Sequence, residues 1–139
     1  MQLELSKKEF RRLLDMVYIG NWILNSTRGE DHFQDYDKVE SLLFEKARQE
    51  GMGILAETYQ GETIPSRPFV EGGIHEAIME YENNVFFAIL PEDLARRDMN
   101  DPPIDESNYD ALTHRTEAYI HEFDENGTDH SMAAIAIPP

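Results

Sequence analysis

A mainly α fold is expected, a four- to five-helix orthogonal bundle with a short N-terminal β-strand, and three observations lead there. Apolar residues recur every three or four positions over most of the chain, capping signals bracket those runs, and Gly and Pro gather between them. The 139 residues, 40% of them apolar, suffice for one buried core, so residues 1–139 read as a single helical domain.

The elements follow in order. Leu3 and Leu5 alternate with polar residues and predict the short strand, which stops at Ser6. Ser6 and Glu9 stand at capping-box spacing and open a first helix, with Phe10, Leu13, Leu14, Val17 and Leu24 on one face and an end near Asn25-Ser26. Ile19, Trp22 and Ile23 add a second stripe, so this helix is expected at the centre of the fold. Asn21 falls among its apolar positions. A buried amide must be hydrogen-bonded, and the expected partner is loop backbone or another helix, with a ligand-facing amide as the alternative.

A second helix is predicted over 36–50, with Val39, Leu42, Leu43 and Ala47 on one face and Gly51 just past its C-cap. Residues 56–73 hold three glycines and two prolines and read as a long loop pinned by Phe69 and Val70. A third helix is predicted over 74–89, although the run 85–90 is also compatible with a buried strand. Pro91, Glu92 and Asp93 predict a new short helix ending near Met99. The last helix is expected over 106–125, stopping at Asn126-Gly127. The segment Ala134 to Ile137 suits pairing with the N-terminal strand or docking on a neighbouring chain.

Charge narrows the function classes. Twelve basic against 28 acidic residues give a formal charge of -16, which opposes direct binding to nucleic acid or to an anionic membrane face. The excess is uneven: residues 1–48 sum to about -1 and residues 49–139 to about -15. Such a field favours cationic partners and salt-dependent approach, and it also serves plain solubility. With no cysteine there are no disulfides, thiolate metal sites or cysteine nucleophile. Met1 to Ser6 lacks the basic and apolar regions of a secretory signal, so the expected location is the cytoplasm.

Two constellations are candidates for chemistry. On the last helix His114, Glu117, His121 and Asp124 are spaced three, four and three apart, within an arc of roughly 80° at about 100° per residue, so all four can address one divalent ion. The apolar stripe of that helix is centred about 140° away, which turns the four toward water and favours a solvated face. The second constellation is a ligand site built from the long loop and the third helix: Tyr59, Arg67, Glu71, His75 and Glu82. Its plainer explanation makes His75 a boundary residue bonded to a loop carbonyl. His32 and His130 fall in turn segments and are expected to be exposed.

Other chemistry finds little support. Residues 122–129 resemble a calcium loop, but Glu122 occupies position one and Ala133 stands where a bidentate Glu is required. There is no nucleophile elbow or phosphate-binding glycine loop, and Ser66 sits near Pro65 and Pro68 without an evident base. No cofactor is expected, with a divalent metal as the exception to test. The preferred expectation is a noncatalytic interaction module, an adaptor or inhibitor of a basic protein partner. The alternative is a small divalent-metal-dependent enzyme or sensor using His and Glu side chains. A third possibility is a chain that is only a subunit of a homo-oligomer.

Overall fold

The computed structural model describes residues 2–129. Contacts divide the chain into two units, Met1–Met79 and Glu80–Pro139. The expected mainly helical class holds. Among the described residues there are four long helices, α1 (Lys7–Asn25), α2 (Gln34–Gln49), α4 (His75–Asp98) and α5 (Tyr109–Asn126), and a one-turn helix α3 (Arg67–Phe69). A two-stranded antiparallel sheet joins β1 (Ala56–Tyr59) to β2 (Glu62–Pro65). No described helix is long and apolar enough to cross a membrane.

The first unit is organised by a helix pair. Ser6 and Glu9 form the capping box that starts α1: the Glu9 N–H donates to Ser6 Oγ and the Ser6 N–H to Glu9 Oε2, at 3.3 and 2.8 Å. α2 ends as its Gly51 signal predicts. With Gly51 at φ +80°, its N–H bonds the Arg48 carbonyl and the Met52 N–H bonds that of Ala47, which is the Schellman pattern. The seam between the helices draws on Leu14, Tyr18, Asn21 and Asn25 of α1 and on Asp37, Glu40, Phe44 and Ala47 of α2. Both sets keep one helical face through spacings of three and four. Asn25 and Asn21 bond near the start of α2, so the helices run antiparallel.

The apolar half of that seam is closed from below by α3. Phe69, fully buried, meets the rings of Phe44 at 4.9 Å and Tyr18 at 5.5 Å edge-on, and the Arg11 guanidinium lies 4.5 Å from its centroid. Ser66 sets α3 in place: its hydroxyl donates to the Ile54 carbonyl at 2.6 Å and accepts from the Phe69 N–H at 3.3 Å. Ala56 and Ile78 complete this core. Asp15 is buried at its edge and is paired by Arg11 and Arg12.

Four sequence expectations are corrected here. Among the described residues the N-terminal strand does not form: residues 2–6 pair with no described strand, and Leu3 stays 72% exposed. The sheet lies instead inside the expected loop 56–73. Gln60 and Gly61 both adopt positive φ, 50° and 87°, and this two-residue primed turn matches the strand twist and closes the hairpin. The hairpin packs along α2, with Thr63 Oγ1 donating to Glu45 at 2.9 Å and Arg48 donating to Thr58 at 3.0 Å. Helix α1 is not buried all round, since Met16 and Ile23 are 69% and 62% exposed. Asn21 is half-buried, and Asn25 one turn on is the buried amide of this helix.

The second unit comprises the later part of α4, the loop to α5, and α5 itself. The expected break at Pro91 is absent, and so is the strand considered for 85–90: α4 runs through Pro91. A proline inside a helix forgoes one backbone bond and costs about 3 kcal/mol. Here the ring is fully buried, which offsets part of that cost. Phe87 packs on Phe123 at 5.8 Å, and Ala95, Leu112 and Phe123 are buried. Tyr119 donates to Asp98 at 2.5 Å and accepts from Arg97 at 3.3 Å, tying the end of α4 to α5. Gly127, at φ +55°, ends α5 as expected. The segment Ala134 to Ile137, His130 and Ala133 lie outside the described residues.

Candidate functional site

A connected polar cluster lies at the loop end of the α1–α2 seam. Asn25, only 4% exposed, is its hub. Its amide donates to Asn21 Oδ1 at 2.8 Å, to Asp37 Oδ1 at 3.0 Å and to the Phe33 carbonyl at 3.3 Å, while its oxygen accepts the Phe33 N–H at 2.9 Å. Phe33 is the N-cap of α2 and offers no side-chain acceptor, so Asn25 supplies from α1 the cap that the local sequence lacks. Asn21 then bridges two acids, donating to Asp37 Oδ1 at 3.0 Å and Glu40 Oε2 at 3.2 Å.

The two carboxyls diverge in character. Burial works against the charge of Asp37, but hydrogen bonds from Asn21, His32 and Asn25 outweigh it and hold this carboxyl below its ordinary value. Burial dominates at Glu40, the charge of Asp37 adds to it, and the single bond from Asn21 compensates only in part. Glu40 is pushed up from 4.5 to about 7. Burial, and then the charge of Glu40, also raise the neighbouring Tyr18 phenol. Such a split within one pair suits proton exchange near neutrality.

The connecting loop contributes His32, exposed as expected. Its Nδ1 lies 3.3 Å from Asp37 Oδ2 and its Nε2 3.1 Å from the Arg28 carbonyl. Both ring nitrogens therefore face oxygen acceptors. The Arg28 guanidinium stacks over Phe33 at 4.2 Å and pairs with Asp31 at 2.7 Å, which fixes the loop.

Of the residues singled out by sequence, few are brought together. Arg67 and Glu71 form an exposed ion pair at 2.7 Å on α3 and the wide turn that follows it. Tyr59 projects from β1 into solvent, and Glu82 is exposed in the second unit. His75 is half-buried at the start of α4, with its ring edge-on to Trp22 at 4.8 Å. The loop-carbonyl bond expected of it is not made through Nδ1, which is buried and meets no partner among the described residues. His114, Glu117, His121 and Asp124 are all exposed on α5, where His121 faces Glu125 at 3.5 Å. Among the described residues no three His, Asp or Glu side chains converge as metal ligands.

The Asp37/Glu40/His32 group escaped the sequence reading because its members belong to the polar positions of α2 and a turn. Asn21 was the available signal: an amide on an apolar stripe needs a partner on the facing helix, and the acids at helical spacing on α2 supply it.

Charge is the distinctive feature of the second unit. Between Glu80 and Asp129 fourteen acidic residues accompany three arginines, a net of -11. All of these acids except the half-buried Glu122 are exposed. Arg96 pairs with Glu92 and Arg97 with Asp98, each at 2.8 Å, so these cations are engaged locally. No family model, curated protein or solved structure matches this chain.

Proposed function

We propose that this protein is a noncatalytic interaction module, an adaptor or inhibitor, whose acidic second unit engages a basic protein partner. The observation that carries this reading is the fourteen-to-three excess of acids over arginines in residues 80–129, nearly all of it exposed. Exposed like charges this dense repel one another and raise the local potential, and a cationic surface relieves both effects. Electrostatic complementarity of that kind sets partner choice and association rate more than it sets affinity. The module works in the cytoplasm, without membrane or nucleic-acid contact, either alone or as a homo-oligomer.

The test is calorimetric titration with a panel of basic globular proteins in dilute buffer and again at about 0.2 M salt, where the screening length falls below 10 Å. Saturable binding that weakens steeply with salt is expected. Replacing Glu117, Asp124 and Glu125 by their amides should weaken it further. No binding to any basic partner in dilute buffer overturns the reading. Stoichiometric metal in untagged protein, with a melt sensitive to chelators, would favour the divalent-metal enzyme or sensor instead.

A further inference from the structure

We propose that Asp37 and Glu40 form a proton-operated lock on the α1–α2 pair, closed when Glu40 carries a proton and loosened at the loop end when it releases it. The geometry sets this up. One nitrogen, Asn21 Nδ2, lies 3.0 Å from an oxygen of Asp37 and 3.2 Å from one of Glu40, so the two carboxyls stand close enough to repel when both are ionised. Among the described residues no lysine or arginine pairs with either of them. The titratable groups facing Glu40 are the Tyr18 phenol from α1 and Asp37 from its own helix. His32, from the connecting loop, faces Asp37.

The proton has a defined task. On Glu40 it removes one of two adjacent negative charges and leaves a carboxyl oxygen that still accepts from Asn21. His32, placed between Asp37 and the Arg28 carbonyl, ties the loop to the start of α2. Losing the Glu40 proton leaves two carboxylates facing each other with only the Asn21 amide between them. The element biased is the hinge from Asn21 through Phe33, because Asn25 is the single side chain that both caps α2 and bonds Asp37. The apolar half of the seam, around Leu14, Phe44, Ala47 and Phe69, carries no titratable side chain.

Native-state amide hydrogen exchange on the full chain at pH 5.5 and pH 8, corrected for intrinsic rates, tests the lock. Protection of residues 21–40 should drop at least tenfold at the higher pH, while that of residues 10–18 and 44–47 changes less than threefold. Glu40→Gln, which keeps the shape and mimics the protonated acid, should abolish most of that drop; Glu57→Gln, an exposed control on β1, should leave it intact. A carboxyl carbon titration of Glu40 by NMR should place its midpoint well above that of Glu57. The proposal is overturned if Glu40→Gln keeps the wild-type drop, if protection of 21–40 is the same at both pH values, or if Glu40 and Glu57 titrate together.

Discussion

Removing the Asn25 side chain should unfasten the helix pair from its loop end, and the cost can be worked from the contacts. In Asn25→Ala the Phe33 N–H loses its acceptor at 2.9 Å and the half-buried Asn21 loses its Oδ1 donor at 2.8 Å, both supplied by a side chain only 4% exposed. A buried polar group left without a partner costs about 1–3 kcal/mol, so two such groups, one of them partly rescued by water, amount to about 2–4 kcal/mol. With a urea dependence of about 1–3 kcal/mol per molar, the unfolding midpoint should fall by about 1 M or more. Asn25→Asp separates hydrogen bonding from charge. It retains an acceptor for the Phe33 N–H but sets a third carboxylate beside Asp37, so it should be worse than Ala at pH 8 and recover on acidification. The assay is urea unfolding followed by far-UV circular dichroism at pH 5.5 and 8. A loss under about 0.5 kcal/mol for Asn25→Ala, or an Asp variant indifferent to pH, refutes the account of this seam as a buried network.

Three further outcomes follow from the same structure. The carboxyl of Glu40 is raised in the fold, so its contribution to stability is complete below 4.5 and is lost as pH climbs to about 7. Glu40→Gln should therefore stabilise the protein at pH 8 by about 2 kcal/mol after allowance for solvent screening and should flatten that slope, as thermal melts at pH 5 and 8 would reveal. Gly51→Ala meets no steric obstacle, since nothing lies within 4 Å of the added Cβ, but the +80° φ should still cost about 1–2 kcal/mol in urea unfolding. Phe69→Ala empties the centre of the first core and should cost about 3–5 kcal/mol, with a matching loss of near-UV signal from Tyr18.

Local features of this protein were legible in the residues alone wherever a short-range mechanism specifies the backbone. The Ser6–Glu9 capping box, the Gly51 helix stop and the Gly127 stop depend on hydrogen bonds a few positions apart, and each stands where its signal falls. The excess of acid toward the C-terminus is likewise a property of composition, and packing leaves it on the surface because charged groups resist burial. What failed to be legible involved partners distant along the chain. Leu3 and Leu5 alternate correctly, yet a strand exists only if another offers it hydrogen bonds, and that pairing arose between residues 56 and 65. Pro91 has a strong helix-breaking tendency, yet α4 runs through it, with burial of its ring offsetting part of the cost.

The polar seam makes the same division. Sequence alone determined that an amide on the face of α1 needs a partner, since an unsatisfied buried amide is costly wherever it lies. Only the tertiary structure decided that Asn25 takes the buried place and caps α2. Only the tertiary structure joined Asn21 to Asp37 and Glu40 and separated those two acids in proton affinity. A carboxyl's affinity for its proton depends on the dielectric and the charges around it, and those are supplied by whichever helix comes to lie opposite.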